Sequence, residues 1–337
     1  MGMLSTSSIS CIGIMEKGKV KTILWVAKGK GKFKPVVQSQ FETLGNGSFH
    51  YLAFYFSGQG IFGYIMDAMR LKIFLYRYHV DLIHAHYSFT AFVVSLITRK
   101  RLVVSLMGSD VVTGGFRLRW VRFFCKRIWS QTIVKSEEMF RMLGVSNVKI
   151  IPNGVDFELF TPMDTRWAKQ KLGWHAHHIH LLFPSDKSRL EKNFSLLNAA
   201  LEELENDHLM VHELKQVERK DVPIYFAAAD IVIMTSKREG SPNAIKEALA
   251  MNKLVVTTKV GDVEYLMRDV HPGWVCNHAS SDVASAVKSA LECLGVSSNG
   301  RIAISELSAT RIAQQIEELY TQILSTEGRK EKILIFV

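Results

Sequence analysis

From Val20 onward, short apolar runs alternate with longer stretches whose apolar residues recur at helical spacing. Val20–Ala27 reads as a first strand, and Asp81–Ala85, Leu102–Leu106, Thr132–Lys135 and Val148–Ile151 as further ones. Helical patterns lie between them, notably Ile61–Tyr78 and Ser136–Leu143. Strands alternating with helices predict a parallel sheet covered on both faces.

A second alternating set follows Pro152. His180–Pro184, Leu209–Leu214, Ile231–Thr235 and Leu254–Thr258 read as strands. Asn193–Leu204, Pro242–Met251, Ser281–Leu294 and Glu306–Leu324 read as helices. The simplest architecture is α/β: two doubly wound parallel-sheet domains, joined near residues 152–165 and facing each other across a cleft. Ligands of such sheets bind beyond the carboxyl ends of the strands, so chemistry is sought in the residues that follow each strand.

The chain has 337 residues, 47% of them hydrophobic, enough for two sizeable cores. Net charge is +10 and uneven: residues 1–150 hold 21 Lys and Arg against 7 Asp and Glu, and the remainder 21 against 25. The basic first half suits an anionic partner such as lipid, a phosphorylated acceptor or nucleic acid. Cys11, Cys125, Cys276 and Cys293 form no C-x-x-C pair, so neither a disulfide framework nor a zinc site is expected and a cytoplasmic location is. The best apolar run, Phe89–Thr98, is too short to cross a bilayer. Residues 1–20 read as a loose extension and not as a signal peptide, because the positive charges follow the apolar stretch.

Four segments sit where the strand-end rule places chemistry. Ser236–Glu247, SKREGSPNAIKE, follows a strand and opens a helix at Pro242; free backbone N–H groups of that first turn suit a phosphate. Glu239 and Glu247 are candidate acceptors for sugar or ribose hydroxyls. Ser185–Asn193 (SDKSRLEKN) brings Arg189 and Lys192 to another strand end. Lys28–Lys34 (KGKGKFK) joins lysines to Gly29 and Gly31 without forming a dinucleotide-binding or P-loop pattern. His84 and His86 share one side of a strand, His86 nearer the cleft, where it is a candidate to position or deprotonate a hydroxyl; a buried structural histidine fits equally well.

The E-x7-E spacing of Glu239 and Glu247 resembles the signature of family 4 glycosyltransferases, retaining enzymes of the GT-B fold, such as those of bacterial surface-polysaccharide synthesis. Residues 248–256 with Val260–Glu264, Val222–Ile233, Ile151–Asp156 with Phe160–Pro162, Asp81–His86 and Ser105–Asp110 resemble the family pattern in the same order, over about residues 22–325. The resemblance implies a nucleotide-sugar co-substrate and neither cofactor nor metal. It places Glu239 near the donor sugar, Glu247 at the ribose, and Arg189 and Lys192 at the diphosphate, with Gly31 close by. Gly240, Ser241, Pro242 and Asn243 would line the sugar and diphosphate. Met107 stands where many members have a histidine, leaving Asp110 or His86 as candidates to compensate. It implies domains over residues 21–152 (acceptor side) and 153–306 (donor side), then a closing segment over 307–337 comprising a helix that crosses back toward the first domain and a tail. Between Glu202 and Val222 the chain is short against the pattern, which puts part of the nucleobase wall in question.

Two further segments have their own readings. Phe116–Trp129 interleaves five basic residues with aromatic and aliphatic ones, and as a helix it fits an anionic membrane surface or a core-packed helix with a basic outer side. Trp174–His180 is rich in histidine but lacks metal-ligand spacing. The sequence thus predicts a retaining hexosyltransferase-type glycosyltransferase acting on a glycan or lipid-linked acceptor, peripheral on the inner face of the cell membrane, with no nucleic-acid partner. The alternatives are a nucleotide-sugar epimerase or a glycan phosphorylase on the same fold, or a non-catalytic basic module that binds membrane or nucleic acid.

Overall fold

The computed structural model describes residues 20–326 apart from 46, 113 and 114. The expected extension at the N-terminus, Cys11 included, and the tail past Thr326 lie outside the described residues. Strands are β1 (Thr22–Lys28), β2 (His50–Phe56), β3 (Leu82–His86), β4 (Arg101–Ser105), β5 (Gln131–Val134) and β6 (Val148–Ile150) in the first sheet. The second sheet holds β7 (Ile179–Phe183), β8 (Leu209–Glu213), β9 (Ile231–Met234), β10 (Leu254–Thr258) and β11 (Trp274–Cys276). All pairings are parallel, in the orders β2-β1-β3-β4-β5-β6 and β11-β10-β9-β7-β8.

Alternation along each strand feeds two cores per sheet. In β1, Leu24 and Val26 enter one cluster, while Ile23, Trp25 and Ala27 enter the other. In β7, Leu182 packs on one side and Leu181 with Phe183 on the other. That double coverage is why these strands read as continuous apolar runs. The expected strands omit β2, although Tyr51–Phe56 is an unbroken apolar run; it is an edge strand, and most of HYLAFYF is half-buried.

Strand order also locates the crevices. In the first sheet the order reverses between β1 and β3, and in the second between β7 and β9. At such a switch point the outgoing loops diverge to opposite faces and leave a groove beyond the carboxyl ends. The segments that leave β1, β3, β7 and β9 are the ones carrying Lys28–Lys34, Tyr87, Arg189–Lys192 and Glu239–Asn243.

The last described helix packs back on the first domain. Helix Ala309–Ser325 buries Ile312, Ile316, Leu319 and Tyr320 against Ile23, Trp25 and Leu82. Ser308 caps its start, accepting from Arg311 N, and Arg101 Nη1 donates to Ile323 O and Leu324 O at its last turn.

Between Glu202 and Val222 a single strand, β8, is formed, and it is the sheet edge. Residues 214–221 then lead directly into helix Val222–Ala228. Among the described residues no helix is long and apolar enough to cross a membrane.

Candidate active site

The two switch points face one another across a cavity of about 520 Å³. The first domain contributes Lys34, Tyr87, Met107, Gly108 and Lys135; the second contributes Ser185, Arg189, Lys192, Ser236 and the run from Glu239 to Ala244. Asn153, in the connection between domains, also borders it.

Two loops of the second domain are laced together. Thr235 Oγ1 donates to Asn193 O at 2.9 Å, and Lys237 N to Glu191 O at 2.9 Å. This lacing brings Lys192 Nζ to 2.5 Å from Glu239 Oε1, which also accepts from Ser236 Oγ at 2.9 Å. Ser236 is fixed in turn through its carbonyl, which accepts from Thr258 Oγ1 at 3.0 Å. Arg189 is half-exposed and turned onto Glu191 at 2.6 Å.

The helix beyond begins at Asn243, with Pro242 as its N-cap and no side chain capping it. Its first-turn N–H groups have no acceptor within the helix, and Asn243 and Ala244 border the cavity. Ser241 Oγ and Asn243 Oδ1 are likewise buried without a partner. A wall of unanswered donors and acceptors is a surface shaped for a polar ligand.

Close approach here demands glycine. A Cβ on Gly261, whose φ is +54°, would sit 2.5 Å from Gly240 O. Gly240 in turn lies against Gly108, so the two domains touch backbone to backbone beside Glu239.

Glu247 lies outside the cavity lining, 7% exposed, with Arg219 Nη1 at 2.5 Å from its Oε1. Burial pushes its carboxyl up, and Arg219 pulls it back. Arg219 comes from residues 214–221 and also covers the Phe160 ring at 4.7 Å. Beside Glu247, Lys246 is fully buried, its Nζ donating to Asn153 O at 3.0 Å; burial lowers its pKa to about 8.

Not every candidate reaches the cavity. His86 is wholly buried, its ring 4.4 Å from those of Trp25 and His84, and it does not border the cleft. His84 is hydrogen-bonded to Tyr320 Oη and Ser105 Oγ. Burial drives both histidines well below the ordinary range, so both are neutral. Asp110 accepts from Ser88 N, Ser88 Oγ, Met107 N and Arg117 Nη2, which pins the β3 and β4 loops together. Gly31 takes a φ of +71° in the turn closed by the Gly29–Phe33 bridge, and its neighbour Lys34, not Gly31, borders the cavity.

Lining residues that the sequence does not single out as site candidates include Tyr87, Lys135 and Asn153. Tyr87 holds a φ of 69°, a strained backbone for a non-glycine residue, and Lys34 Nζ lies over its ring. Lys135 follows β5 directly, so the strand-end rule applied to β5 points to it. Asn153 becomes visible as a site residue only once the connection is folded.

Among the described residues no cluster of three potential metal ligands occurs. In the histidine-rich stretch, Trp174 stacks on His212 and His180 is hydrogen-bonded to His212.

Helix Gly115–Arg127 turns Val121 and Cys125 inward and leaves Phe116, Trp120 and Phe123 outside. It packs through Phe124 on Phe92 of helix Ser88–Ile97, which contacts helix Gly60–Arg77. That last helix exposes far more apolar surface, with Phe62 at 85% and Ile61, Ile65, Met66, Met69, Ile73 and Tyr76 also outward.

Residues 175–293 match the model of the family described as glycosyl transferases group 1. TuaC of Bacillus subtilis (strain 168), whose name assigns it to teichuronic acid biosynthesis as a glycosyltransferase, is 27% identical over 214 residues. That alignment covers 55% of this chain and 55% of TuaC, so the match spans about half the length of the curated relative. Sucrose-phosphate synthase from Thermosynechococcus elongatus superposes with a TM-score of 0.79 at 16% identity, covering 91% of this chain and all of that one. Anabaena Alr3699/HepE, solved with UDP-glucose, superposes at 0.71 with 20% identity over 89% of this chain and 99% of that one. Residues 175–293 are thus similar to the group 1 glycosyl transferases, and the two parallel-sheet domains have the GT-B fold.

Proposed function

We propose that this chain moves a sugar from a nucleoside-diphosphate sugar to a glycan or lipid-linked acceptor, with retention at the anomeric carbon, in surface-polysaccharide synthesis. The observation that carries the reading is Lys192 held against Glu239 in the interdomain cavity, beside Arg189 and the uncapped turn at Asn243. In this reading Lys192 and Arg189 take the donor diphosphate. As the bond between the anomeric carbon and the phosphate oxygen breaks, negative charge grows on the leaving group, and fixed cations stabilise it. Glu239, Gly240, Ser241, Pro242 and Asn243 hold the sugar. Glu247 takes the ribose once Arg219 yields, and Arg219 stands in the wall where the base would lie.

Neither His86 nor Asp110 borders the cavity, so the reading gives neither a part in proton transfer. The leaving phosphate oxygen takes the acceptor hydroxyl's proton while the acceptor oxygen bonds the anomeric carbon on the same face. TuaC's name supports a surface-polysaccharide acceptor, and the HepE complex makes UDP-glucose the first donor to try.

The exposed apolar face of Gly60–Arg77, with Phe89, Phe116 and Trp120 exposed on the neighbouring helices and Arg70, Arg77, Arg119 and Lys126 exposed among them, supports docking on an anionic membrane. The direct test is a thermal-shift panel of nucleoside diphosphates and their sugars, followed by transfer assays on the hits. A rise in melting temperature with at least one is expected, because a ligand of the native state stabilises it. No shift with any of them overturns the reading.

A further inference from the structure

Lys135 sits one residue past β5, at the carboxyl edge of the first sheet. Its side chain borders the cavity that holds Arg189, Lys192 and Glu239, yet it is 2% exposed. An ammonium has three N–H donors. Here one hydrogen bond is found, to Ile151 O at 3.3 Å. Among the described residues no carboxylate is within ion-pair distance of it.

The groups around it do not supply the missing charge. Lys246, from the helix of the second domain, repels it; His84 and His86, from β3, are neutral. Lys34, Arg189 and Lys192 share the cavity. Glu239 is already held by Lys192 and Ser236. Lys246 differs, because Asp262 and Glu247 both act to keep it charged. Burial without a counter-ion lowers the Lys135 pKa to about 7. An apolar residue of similar length would be more stable in that place, so a buried, unpaired amine on a ligand cavity points to use.

We propose, resting on the donor-site reading above, that Lys135 binds an anionic group of the donor, completing from the first domain the set of cations that Arg189 and Lys192 begin on the second. That group is either an oxygen of the diphosphate or a carboxylate on the transferred sugar; an ammonium answers both alike. The partner anion raises the amine's pKa, so binding draws a proton from solution. Affinity then falls as pH rises above about 7, by up to about tenfold per unit until the bound-state pKa is reached.

The test is calorimetric titration of wild type and Lys135→Met between about pH 7 and 9. The ligands are UDP, UDP-glucose and UDP-glucuronic acid, or the equivalents of whichever nucleotide gives the largest thermal shift. Lys135→Met is expected to melt at or above the wild-type temperature while binding at least about tenfold more weakly and losing the pH slope. Loss with all three ligands assigns the contact to the diphosphate; loss confined to the glucuronic acid conjugate assigns it to the sugar. Should Lys135→Met not fold, Lys135→Gln is read the same way. Equal affinities and slopes in wild type and variant overturn the proposal and leave the donor site standing. A wild type that binds none of the ligands overturns the donor-site reading, and this proposal with it.

Discussion

Lys192 Nζ and Glu239 Oε1, 47 residues apart in sequence, meet at 2.5 Å on the floor of the interdomain cavity. The pair is part-buried, so each charge keeps the other oriented before any ligand arrives. Lys192→Ala is expected to weaken nucleoside-diphosphate binding about tenfold to a hundredfold, the loss of one charge-assisted contact. Glu239→Gln keeps the shape and is expected to lower turnover more than affinity, by about a hundredfold. Calorimetry and initial-rate assays separate the two; equal losses in both measurements for Glu239→Gln would place it in binding alone.

Arg219 and Glu247 form the other close pair, and its stability consequence depends on pH. Glu247 has its folded pKa raised by burial, and Arg219 limits the rise. Removing Arg219 leaves a buried carboxylate unpaired, so the folded pKa climbs further. A carboxyl with a raised folded pKa loses its stabilising contribution as pH rises through that value. Arg219→Ala is therefore expected to cost about 1–2 kcal/mol near neutral pH, a figure reduced for the half-exposed guanidinium, and less near pH 5. Denaturant melts at the two pH values check it; a loss independent of pH would contradict the assignment.

Lys246 gives the opposite sign. Its folded pKa, lowered from 10.5 to about 8, means that the unfolded chain binds the extra proton between those values. Stability then rises with pH across that window and is flat below it. Lys246→Met is expected to flatten the rise relative to wild type, in thermal melts followed from about pH 7 to 10. An unchanged slope would show that the amine is solvated in the native state.

The apolar face of Gly60–Arg77 yields a membrane prediction. Phe62→Asp with Ile65→Asp is expected to reduce binding to anionic vesicles at least about tenfold, since each exposed large side chain contributes about 1.5–3 kcal/mol on burial. Melting should stay unchanged, because both side chains are outside the cores. Flotation with anionic and neutral vesicles reads the result, and equal recovery of wild type and variant would remove this face from consideration.

Tyr320 ties the closing helix to the first sheet, accepting from Trp25 Nε1 at 3.1 Å while hydrogen-bonded to His84 Nδ1. Tyr320→Phe leaves two buried groups short of a partner and is expected to cost about 1–3 kcal/mol in equilibrium unfolding. A smaller loss would mean that water replaces the hydroxyl.

Much of this was legible before folding, for a physical reason. Strands buried on both faces must be apolar throughout, so β1, β3, β4, β7, β9 and β10 appeared as runs within a residue or two of their bounds. Edge strands β2 and β11 and helices Pro35–Leu44 and Thr165–Leu172 were not foreseen, although edge strands β6 and β8 were, so an edge position does not by itself erase the pattern; β11 is only three residues long. Arg189, Lys192 and Glu239 to Asn243 were reachable because the strand-end rule and a local spacing pointed to them. What spacing lacks is direction in space. His86 follows the same rule, yet Trp25 and His84 enclose it; Asp110 lies beside the loop but is spent on holding Ser88 and Arg117. Lys135 and Tyr87 directly follow strands, so the same rule reaches them; Asn153 and Arg219 acquired a place only when residues far apart in the chain were packed together. The sequence by itself determined most of the strands and which loops carry charge, because burial and periodicity are local. Tertiary structure alone decided which of those charges are answered and which are left facing the interdomain cavity, because pairing depends on distance across the fold.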